Sequence, residues 1–349
     1  MKQWRIGIIG CGGIAGFHIQ AIREIGHAKL IAVSSRSRDK AETIGKQENC
    51  DWTDDYKELL DRRDIDLVSV TTSSGSHYTI GREALLAGKH LVIEKPMAML
   101  ETEAAELIAI AEANGLTISV ISQRRFEPQH QLLKRLMEQN KLGNLLFAEV
   151  SVPYYRSQDY YDSAAWRGTI QEDGGSLMNQ GIHSIDLLLW LVGQPVAVSG
   201  KIATQSHQIE AEDMGVAIVT FAGGAIGTIM ASTNIKPGFP AGINLYGDKG
   251  TVKVSGSDII HWSVEGMDEP ELGLTGQSGG VSDPLSIQHI YHQLQYEDIL
   301  DALASSREPL VTGRDGMASV QLIRKIYESS KLGREMRLDE PSTDIRRDS

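Results

Sequence analysis

The amino-acid sequence predicts an α/β fold: a doubly wound parallel sheet in the first third of the chain, then an α+β domain with an open, mainly antiparallel sheet. In the first third, short β-branched runs alternate with helical patterns, which is typical of parallel strands joined by right-handed crossovers. Further along, several strands follow one another without intervening helices, which favours antiparallel pairing. The length of 349 residues agrees with two domains at about 150 residues each.

The first domain is expected to span residues 1–122. Its strands are predicted at Arg5–Ile9, Lys29–Ser34, Leu67–Thr71, His90–Ile93 and Thr117–Ile121. Its helices are predicted from the end of the first strand to about Ile25, and at Asp39–Lys46, His77–Ala87 and Thr102–Ala113.

The second domain is expected to span residues 123–335. Its helices are predicted at Gln129–Asn140, Ser176–Val192, Ile287–Ala304 and Asp315–Leu332. Its strands are predicted at Leu145–Tyr155, Val196–Thr204, Gly215–Phe221, Ala225–Asn234, Gly242–Tyr246 and Thr251–Val254. Residues 336–349, with Pro341 and mixed charges, are expected to form a loose tail.

Charge and composition exclude several classes of partner. The chain carries 34 Lys and Arg against 46 Asp and Glu, a net charge of −12, and the basic residues are scattered, so neither nucleic acid nor an anionic membrane surface is expected as a partner. Residues 214–235 are uncharged, but Gly223-Gly224 divides them into two β-type runs, so we expect a hairpin and no membrane span. Two cysteines form no disulfide framework, and a cytoplasmic location is expected.

A glycine-rich turn at residues 10–15 indicates dinucleotide binding. It follows a strand and opens a helix; Gly10 allows the tight turn, Gly12 lets the backbone approach a pyrophosphate, and Ala15 permits close packing of helix on strand. The helix N-terminus then faces the phosphates. The expected contacts from this turn are Gly10, Gly12, Gly13 and Ile14. A glycine turn of purely structural origin is the alternative.

The residues after the second strand favour NADP over NAD. An NAD-binding protein usually has an acidic residue here for the ribose 2′-hydroxyl, whereas this chain has Ser35 and Arg36. A guanidinium group presents forked donors to phosphate oxygens and therefore suits a 2′-phosphate. The alternative is an NAD-binding protein with a solvated Arg-Ser loop.

Glu94-Lys95-Pro96 follows a predicted parallel strand, at the sheet edge where ligands bind in open α/β folds. A lysine held there can donate to a substrate oxygen, although such a tripeptide also occurs as a surface turn.

The predicted helix Ser176–Val192 is apolar on most of its surface but carries Asn179, His183 and Asp186. At 100° per residue these three lie within a stripe about 60° wide, and polar groups on an otherwise buried helix need partners. Gly174-Gly175 precedes the helix. The stripe favours the lining of a site; a hydrogen-bonded core histidine is the alternative.

Taken together, these motifs resemble the Gfo/Idh/MocA oxidoreductases over nearly the whole chain. The motifs are Gly10-x-Gly12-x-x-Ala15 with His18, the Thr72–His77 loop, Gly88-Lys89-His90 before Glu94-Lys95-Pro96, Gly174-Gly175 before Asn179-x-x-x-His183-x-x-Asp186, Tyr246-Gly247-Asp248-Lys249-Gly250-Thr251 and Ser282-Asp283-Pro284. The resemblance implies a Rossmann domain joined to an open-sheet domain, hydride transfer between a nicotinamide and a carbon of a sugar or polyol, and a homodimer or homotetramer.

The same resemblance assigns roles to single residues. Lys95, in a Lys-Pro peptide that is often cis in the family, would be the catalytic lysine; His183 would transfer a proton, and Asp186 would orient His183 or bind a neighbouring hydroxyl. Further cofactor contacts are expected from Thr72, Ser73, Ser74, His77, Glu94, Lys95 and Gln123. Substrate contacts are expected from Lys95, Arg124, Tyr155, Arg167, Asn179, His183 and His292.

Two positions depart from the family pattern. Asn179 stands where inositol-dehydrogenase-like members have an Asp, and Thr72-Ser73 stands where many members read Thr-Pro. Two other functions are alternatives. A glycoside hydrolase that uses bound NAD for transient oxidation and elimination would share most of these residues, whereas the presence of both Lys95 and His183 speaks against a dinucleotide-binding sensor without catalysis. No metal site is expected, since His289-x-x-His292 has no third placed ligand.

Overall fold

The computed structural model describes residues 2–272 and 288–341, so the Ser282-Asp283-Pro284 motif lies outside the described residues. The strands are β1 (Trp4–Ile9), β2 (Ala28–Ser34), β3 (Asp51–Thr53), β4 (Leu67–Val70), β5 (His90–Ile93), β6 (Ile118–Val120), β7 (Leu145–Pro153), β8 (Pro195–Ala203), β9 (Met214–Phe221), β10 (Ile226–Ser232), β11 (Gly242–Gly247), β12 (Gly250–Ser255), β13 (Asp258–Val264) and β14 (Met336–Arg337). The α-helices are α1 (Ala15–Glu24), α2 (Arg38–Glu48), α3 (Tyr56–Leu60), α4 (His77–Leu86), α5 (Glu101–Asn114), α6 (Pro128–Glu138), α7 (Gln158–Asp162), α8 (Ile182–Val192), α9 (His289–Ser305) and α10 (Gly313–Leu332).

The chain divides into two compact units that are not continuous in sequence. The first unit comprises residues 1–123 together with 288–317, and the second comprises 124–287 together with 318–349. This corrects the predicted boundaries, which placed all of residues 123–335 in one domain. Helix α9 belongs to the first unit because Tyr296, Ile299 and Leu300 are buried in one core cluster with Ile19 and Ile22 of α1.

The first unit contains six parallel strands in the order β3-β2-β1-β4-β5-β6. This is the strand order of the doubly wound dinucleotide-binding fold, and it confirms the predicted class. Strand β3 and helix α3 were not predicted. A three-residue strand shows too little alternation to be recognised, and Trp52 is its one large apolar side chain.

The second unit contains an eight-stranded sheet in the order β13-β12-β11-β7-β10-β9-β8-β14. All its neighbours are antiparallel except β7 and β10, which confirms the predicted, mainly antiparallel sheet. Strands β9 and β10 form the expected hairpin at Gly223-Gly224, where Gly224 has a φ of +88°. Within residues 2–272 and 288–341, no helix is long and apolar enough to cross a membrane.

The helix that carries His183 is not a regular α-helix throughout. Residues Ser176–Gly181 form a π-helical turn, and α8 continues from Ile182. A π-helical turn closes through i→i+5 hydrogen bonds, so the 100° spacing used for the polar stripe does not apply to Asn179. Two glycines let this segment approach the sheet closely: a Cβ on Gly181 would meet Ala231, and a Cβ on Gly215 would meet Leu177.

The start of the predicted tail is ordered as a strand. Met336 and Arg337 pair with Val198 and Ala197 of β8, which corrects the expectation of a loose segment beginning at residue 336. Because β14 forms the edge of the second sheet, the end of the described chain completes that sheet.

Candidate active site

The glycine turn after β1 has the shape that a dinucleotide requires. Gly10 has a φ of +112°, and a Cβ there would lie 2.6 Å from the carbonyl carbon of Thr71. Its N–H donates to the Ser34 carbonyl oxygen at 2.8 Å, which brings the ends of β1 and β2 together. A Cβ on Gly12 would meet no atom within 4 Å, so the backbone is open to a bound group at this point. These residues therefore fit a pyrophosphate at the N-terminus of α1.

The two residues expected near the adenosine ribose lie at the end of β2, next to β1 in the sheet. Ser35 is half-buried and its N–H donates to the Thr53 carbonyl oxygen at 3.2 Å, whereas Arg36 is exposed. Their position at the carboxyl edge agrees with a role in ribose or phosphate binding, which stays a prediction.

His77 has a structural role in the loop after β4. Its Nδ1 lies 2.8 Å from the Pro96 carbonyl oxygen and its Nε2 lies 3.1 Å from the Thr72 carbonyl oxygen. Burial lowers the pKa of the imidazole despite the two carbonyl groups. His77 therefore lies between two loops of the site, with its ring nitrogens facing Pro96 and Thr72, and its expected cofactor contact stays a prediction. Thr72, Ser73 and Ser74 are half-buried in the same loop.

Lys95 is half-buried directly after Glu94 at the carboxyl end of β5, and its peptide bond to Pro96 is cis, as the family resemblance implies. The Glu94 carboxylate turns inward: it accepts a hydrogen bond from the Lys95 N–H at 3.1 Å and lies 3.0 Å from His18 Nε2. Burial would raise the Glu94 pKa, but the His18 hydrogen bond and the charges of His18 and Lys95 hold it at about 2. Glu94 therefore supports the Lys95 segment as an interior carboxylate; its expected cofactor contact stays a prediction.

A second layer of buried polar groups lies behind Glu94. His18 Nδ1 is 3.0 Å from Ser69 Oγ and 2.8 Å from Tyr296 Oη, and the Tyr296 hydroxyl donates to Ser69 Oγ at 2.8 Å. Tyr296, contributed by α9, has an exposed fraction of 0%. The motif residue His18 thus links α1, β4 and α9 to the segment that holds Lys95.

His292 lies in this interior rather than on a substrate-facing surface. Its side chain is fully buried, stacks against Phe17 with ring centroids 6.0 Å apart, and has its Nε2 4.0 Å from Glu94 Oε1. Neither ring nitrogen has a hydrogen-bond partner among the described residues. Burial lowers its pKa to about 3. The burial of His292 does not support the predicted substrate contact, which stays a prediction.

Gln123 follows β6 at the same sheet edge and is buried. Within the described part of the chain its Oε1 has no hydrogen-bond partner. A buried amide oxygen of this kind fits a donor on a bound molecule, so Gln123 remains a candidate cofactor contact.

In the second unit, His183 is half-buried on the first turn of α8. Asp186, three residues on, forms a bidentate ion pair with Arg125: the guanidinium Nε and Nη2 donate to its carboxylate at 2.8 and 2.6 Å. Arg125 and Asp186 are both buried, with exposed fractions of 1% and 3%, respectively. Sequence reasoning missed Arg125, and its pairing gives Asp186 a structural role in fixing α8; the proposed action of Asp186 on His183 stays a prediction.

Asn179 donates through Nδ2 to an Asp173 carboxylate oxygen. Of the predicted stripe, Asn179 thus contacts Asp173, and Asp186 pairs with Arg125. An acidic group does lie beside Asn179, supplied by Asp173 instead of the Asp that some family members have in the helix.

Several arginine and tyrosine side chains near this helix contact one another. Arg124 donates to the Tyr154 hydroxyl at 2.9 Å, and Arg167 lies over the Tyr160 ring at 4.0 Å. Arg156, which sequence reasoning missed, lies over both the Tyr154 and Tyr160 rings, at 5.3 and 5.6 Å. The structure thus brings Arg124 and Arg167 into one network through Arg156.

Arg156 also connects this network to the π-helical turn, since its Nη2 donates to Gln180 Oε1 at 3.1 Å. Tyr155 lies next to the network in sequence and has the Lys236 ammonium 5.2 Å from its ring. The missed arginine had a visible signal, because Arg156 follows two tyrosines directly.

Comparisons with known proteins agree with this architecture. The model described as "Oxidoreductase family, NAD-binding Rossmann fold" matches residues 4–122, and the model described as "GFO/IDH/MocA C-terminal domain" matches residues 130–253. The chain belongs to the Gfo/Idh/MocA family of oxidoreductases. The family assignment confirms the resemblance found in the motifs.

Several known proteins are similar to this chain over most of their length. The structure of the WlbA dehydrogenase from Bordetella pertussis, in complex with NADH and UDP-GlcNAcA, is 31% identical, with a TM-score of 0.87 over 97% of this chain and 100% of that chain. The oxidoreductase YrbE of Bacillus subtilis is 26% identical, covering 95% of this chain and 96% of YrbE. The NADP-dependent scyllo-inositol 2-dehydrogenase IolW of the same species is 27% identical, covering 82% of each chain.

Proposed function

We propose that this oxidoreductase transfers a hydride between a secondary alcohol of a sugar, sugar derivative or cyclitol and a nicotinamide cofactor. The observation that supports it best is that Lys95 follows β5 at the edge where the glycine turn follows β1, in a sheet whose strands are all parallel. That edge is where ligands bind in doubly wound sheets. The bound UDP-GlcNAcA of WlbA and the scyllo-inositol of IolW support a substrate rich in hydroxyl groups.

We assign the chemical steps to two side chains. When bound, the nicotinamide supplies or accepts the hydride. The Lys95 ammonium donates to the reacting oxygen and stabilises negative charge that develops on it, and His183 takes the hydroxyl proton as general base. Arg124, Tyr155, Arg167 and Asn179 are proposed to bind other substrate groups.

Removing either catalytic side chain tests this assignment. Lys95→Ala and His183→Ala are each expected to lower kcat by about 10²–10⁴, because both act on the reacting oxygen, while the Kd for the cofactor changes by about threefold or less. The measurement is absorbance of the reduced nicotinamide with a panel of sugars, sugar phosphates and inositols. Near-wild-type turnover in His183→Ala would refute the proton-transfer role, and product formation without net cofactor reduction would favour the hydrolase alternative.

We further propose a preference for NADP, supported by Ser35 and the exposed Arg36 after β2. Arg36→Ala should lower the NADP/NAD affinity ratio about tenfold, because a charge-assisted contact to the 2′-phosphate is lost. Arg38→Ala, two residues further on, is the matched control, since Arg38 lies 5.3 Å over the Trp52 ring. A wild-type Kd that is lower for NAD than for NADP would contradict the preference.

We also propose that the protein forms a homodimer or homotetramer and that it is located in the cytoplasm. The support for assembly is a strip of exposed apolar side chains on one face of the second sheet, namely Val216, Ile218 and Ile226, with exposed fractions of 44%, 55% and 50%. Monomers rarely leave such a strip uncovered. Light scattering should give a mass that is a multiple of 38.2 kDa, and Ile218→Lys should shift it towards the monomer.

A further inference from the structure

A buried carboxyl group lies against the first residues of the helix that carries His183. Glu212, just before β9, has an exposed fraction of 5%. Its backbone carbonyl accepts a hydrogen bond from the Ser176 N–H, and its side-chain Oε1 accepts one from the Leu177 N–H, both at 2.8 Å. The first N–H groups of a helix have no partner within the helix, so Glu212 satisfies two of them.

Tyr327 of α10 connects the same carboxyl group to the residues before the helix. Its hydroxyl lies 2.7 Å from the Gly174 carbonyl oxygen and 3.1 Å from Glu212 Oε1. Two separate segments of the second unit, one before β9 and one in α10, therefore hold residues 174–177 from the same side.

The glycine pair before the helix is explained by this arrangement. Gly174 and Gly175 have φ values of +82° and +80°, which side chains other than glycine rarely adopt. A Cβ on Gly175 would also overlap the Glu212 carboxyl group. Gly174-Gly175 was recognised in the sequence as a motif, and the structure shows that it makes room for Glu212.

Glu212 has no ion-pair partner within residues 2–272 and 288–341. Burial raises its pKa to about 8 and the nearby Asp173 adds to this effect, although hydrogen bonds from the Leu177 N–H and Tyr327 oppose it. The carboxyl group is therefore largely neutral at pH 7, which explains how it is buried without a cation.

We propose that Glu212, together with Tyr327, is the positioning element of the His183 helix: it fixes residues 174–177, so that the π-helical turn and α8 present Asn179 and His183 in one orientation. Glu212 does not touch the reacting groups in this role. The inference deepens the proposed function and rests on it only for the assignment of His183 as the proton-transfer group.

The test compares Glu212→Gln with Glu212→Ala. The amide retains an oxygen for the Leu177 N–H, so Glu212→Gln should keep kcat within about twofold of wild type; Glu212→Ala should lower kcat about 10–100-fold with a smaller change in KM. Amide hydrogen exchange of residues 176–183 should accelerate about tenfold or more in Glu212→Ala alone. The Kd for the cofactor reports on the first unit and should not change.

Val198→Ala is the matched control. It opens a cavity at a fully buried residue of β8 and leaves the hydrogen bonds of Glu212 and Tyr327 described above in place. It should lower Tm without accelerating exchange in residues 176–183. The inference is refuted if Glu212→Ala keeps wild-type exchange there, or if Glu212→Gln loses as much activity as Glu212→Ala. If the wild type oxidises no sugar or polyol, the proposed function fails, while the exchange data still decide whether Glu212 positions the helix.

Discussion

Glu94 and Glu212 are both buried, with an exposed fraction of 5% each, and each lies against a segment that carries a candidate catalytic side chain. Their charge states nevertheless differ. The Glu94 pKa is held at about 2 because His18 and the Lys95 ammonium outweigh the effect of burial, whereas burial raises the Glu212 pKa to about 8 because the hydrogen bonds from a backbone N–H and a tyrosine hydroxyl, which lower it, do not offset burial. The comparison teaches that the polar neighbours of a buried carboxyl group, more than its burial, decide whether it is ionised.

The largest expected effect is an opposite pH dependence of stability at the two sites. For Glu94 the folded pKa lies below 4.5, so its contribution is present above about pH 4.5 and is lost as the pH falls towards 2, by about 1.4 kcal/mol per pH unit. For Glu212 the folded pKa lies above 4.5, so stability falls by a similar slope as the pH rises from about 4.5 to about 8.

Urea unfolding of wild type, Glu94→Gln and Glu212→Gln from about pH 3 to about pH 9 measures both slopes. The advantage of wild type over Glu94→Gln should shrink towards acid pH, and the advantage of Glu212→Gln over wild type should grow towards pH 8. Parallel curves for the three proteins would show that the two carboxyl groups do not differ in ionisation.

At pH 7 the same substitution should have opposite consequences at the two sites. Glu94→Gln should destabilise the protein by about 1.5–3 kcal/mol, because it removes the charge that His18 and the Lys95 N–H bind. Glu212→Gln should increase the free energy of unfolding by about 1–3 kcal/mol, because at pH 7 the wild-type carboxyl group must take up a proton on folding, whereas the amide is neutral in both states. Equal losses in the two variants would abolish the distinction.

A smaller effect is expected from the unpartnered imidazole beside Glu94. His292→Phe should stabilise the protein by about 0–2 kcal/mol, because it removes two buried polar atoms without hydrogen bonds and keeps a ring against Phe17. His18→Phe is the matched comparison and should destabilise, since His18 bonds to Glu94. A loss of stability in His292→Phe as large as that in His18→Phe would show that His292 also supports Glu94.

The smallest effect is expected at Tyr327. Tyr327→Phe should cost about 0.5–1.5 kcal/mol, because one hydroxyl loses its contacts with Gly174 and Glu212 while the ring remains. The Glu212 pKa should rise further, since the tyrosine hydrogen bond lowers it. Stability stops falling with pH once the pH exceeds the Glu212 pKa, so this limit should lie at a higher pH in Tyr327→Phe than in wild type. An unchanged pH profile would exclude a direct interaction between Tyr327 and Glu212.

Much of the fold was predictable because its strands have strong local patterns. The alternation of strands and helices identified β1, β2, β4, β5 and β6, and the glycine turn and Lys95 fell at the predicted sheet edge. The place of α9 was not predictable, since a helix that follows the second sheet in sequence gives no sign that it packs on the first. Only the fold brings Tyr296 to His18, 278 residues away.

The supports of the candidate site were also hidden in sequence. Glu212 lies in Glu210-Ala211-Glu212-Asp213, a run that reads as a solvated turn. Arg125 has another arginine beside it, and nothing local indicates that it is the one that pairs with Asp186. Charged residues are seldom fully buried, so their burial emerges only from contacts between distant segments.

The return of α9 to the first unit has a consequence for synthesis of the chain on the ribosome. Residues 1–123 emerge first, but the helix that buries Ile19 and Ile22 follows only after residue 288. At 5–20 residues per second, this is a delay of about 10–30 s. During that interval the α1 side of the first sheet lacks its cover. The first unit therefore stays incomplete while residues 124–287 are synthesised, and its apolar surface around Ile19 and Ile22 is exposed to any partner that binds such surfaces.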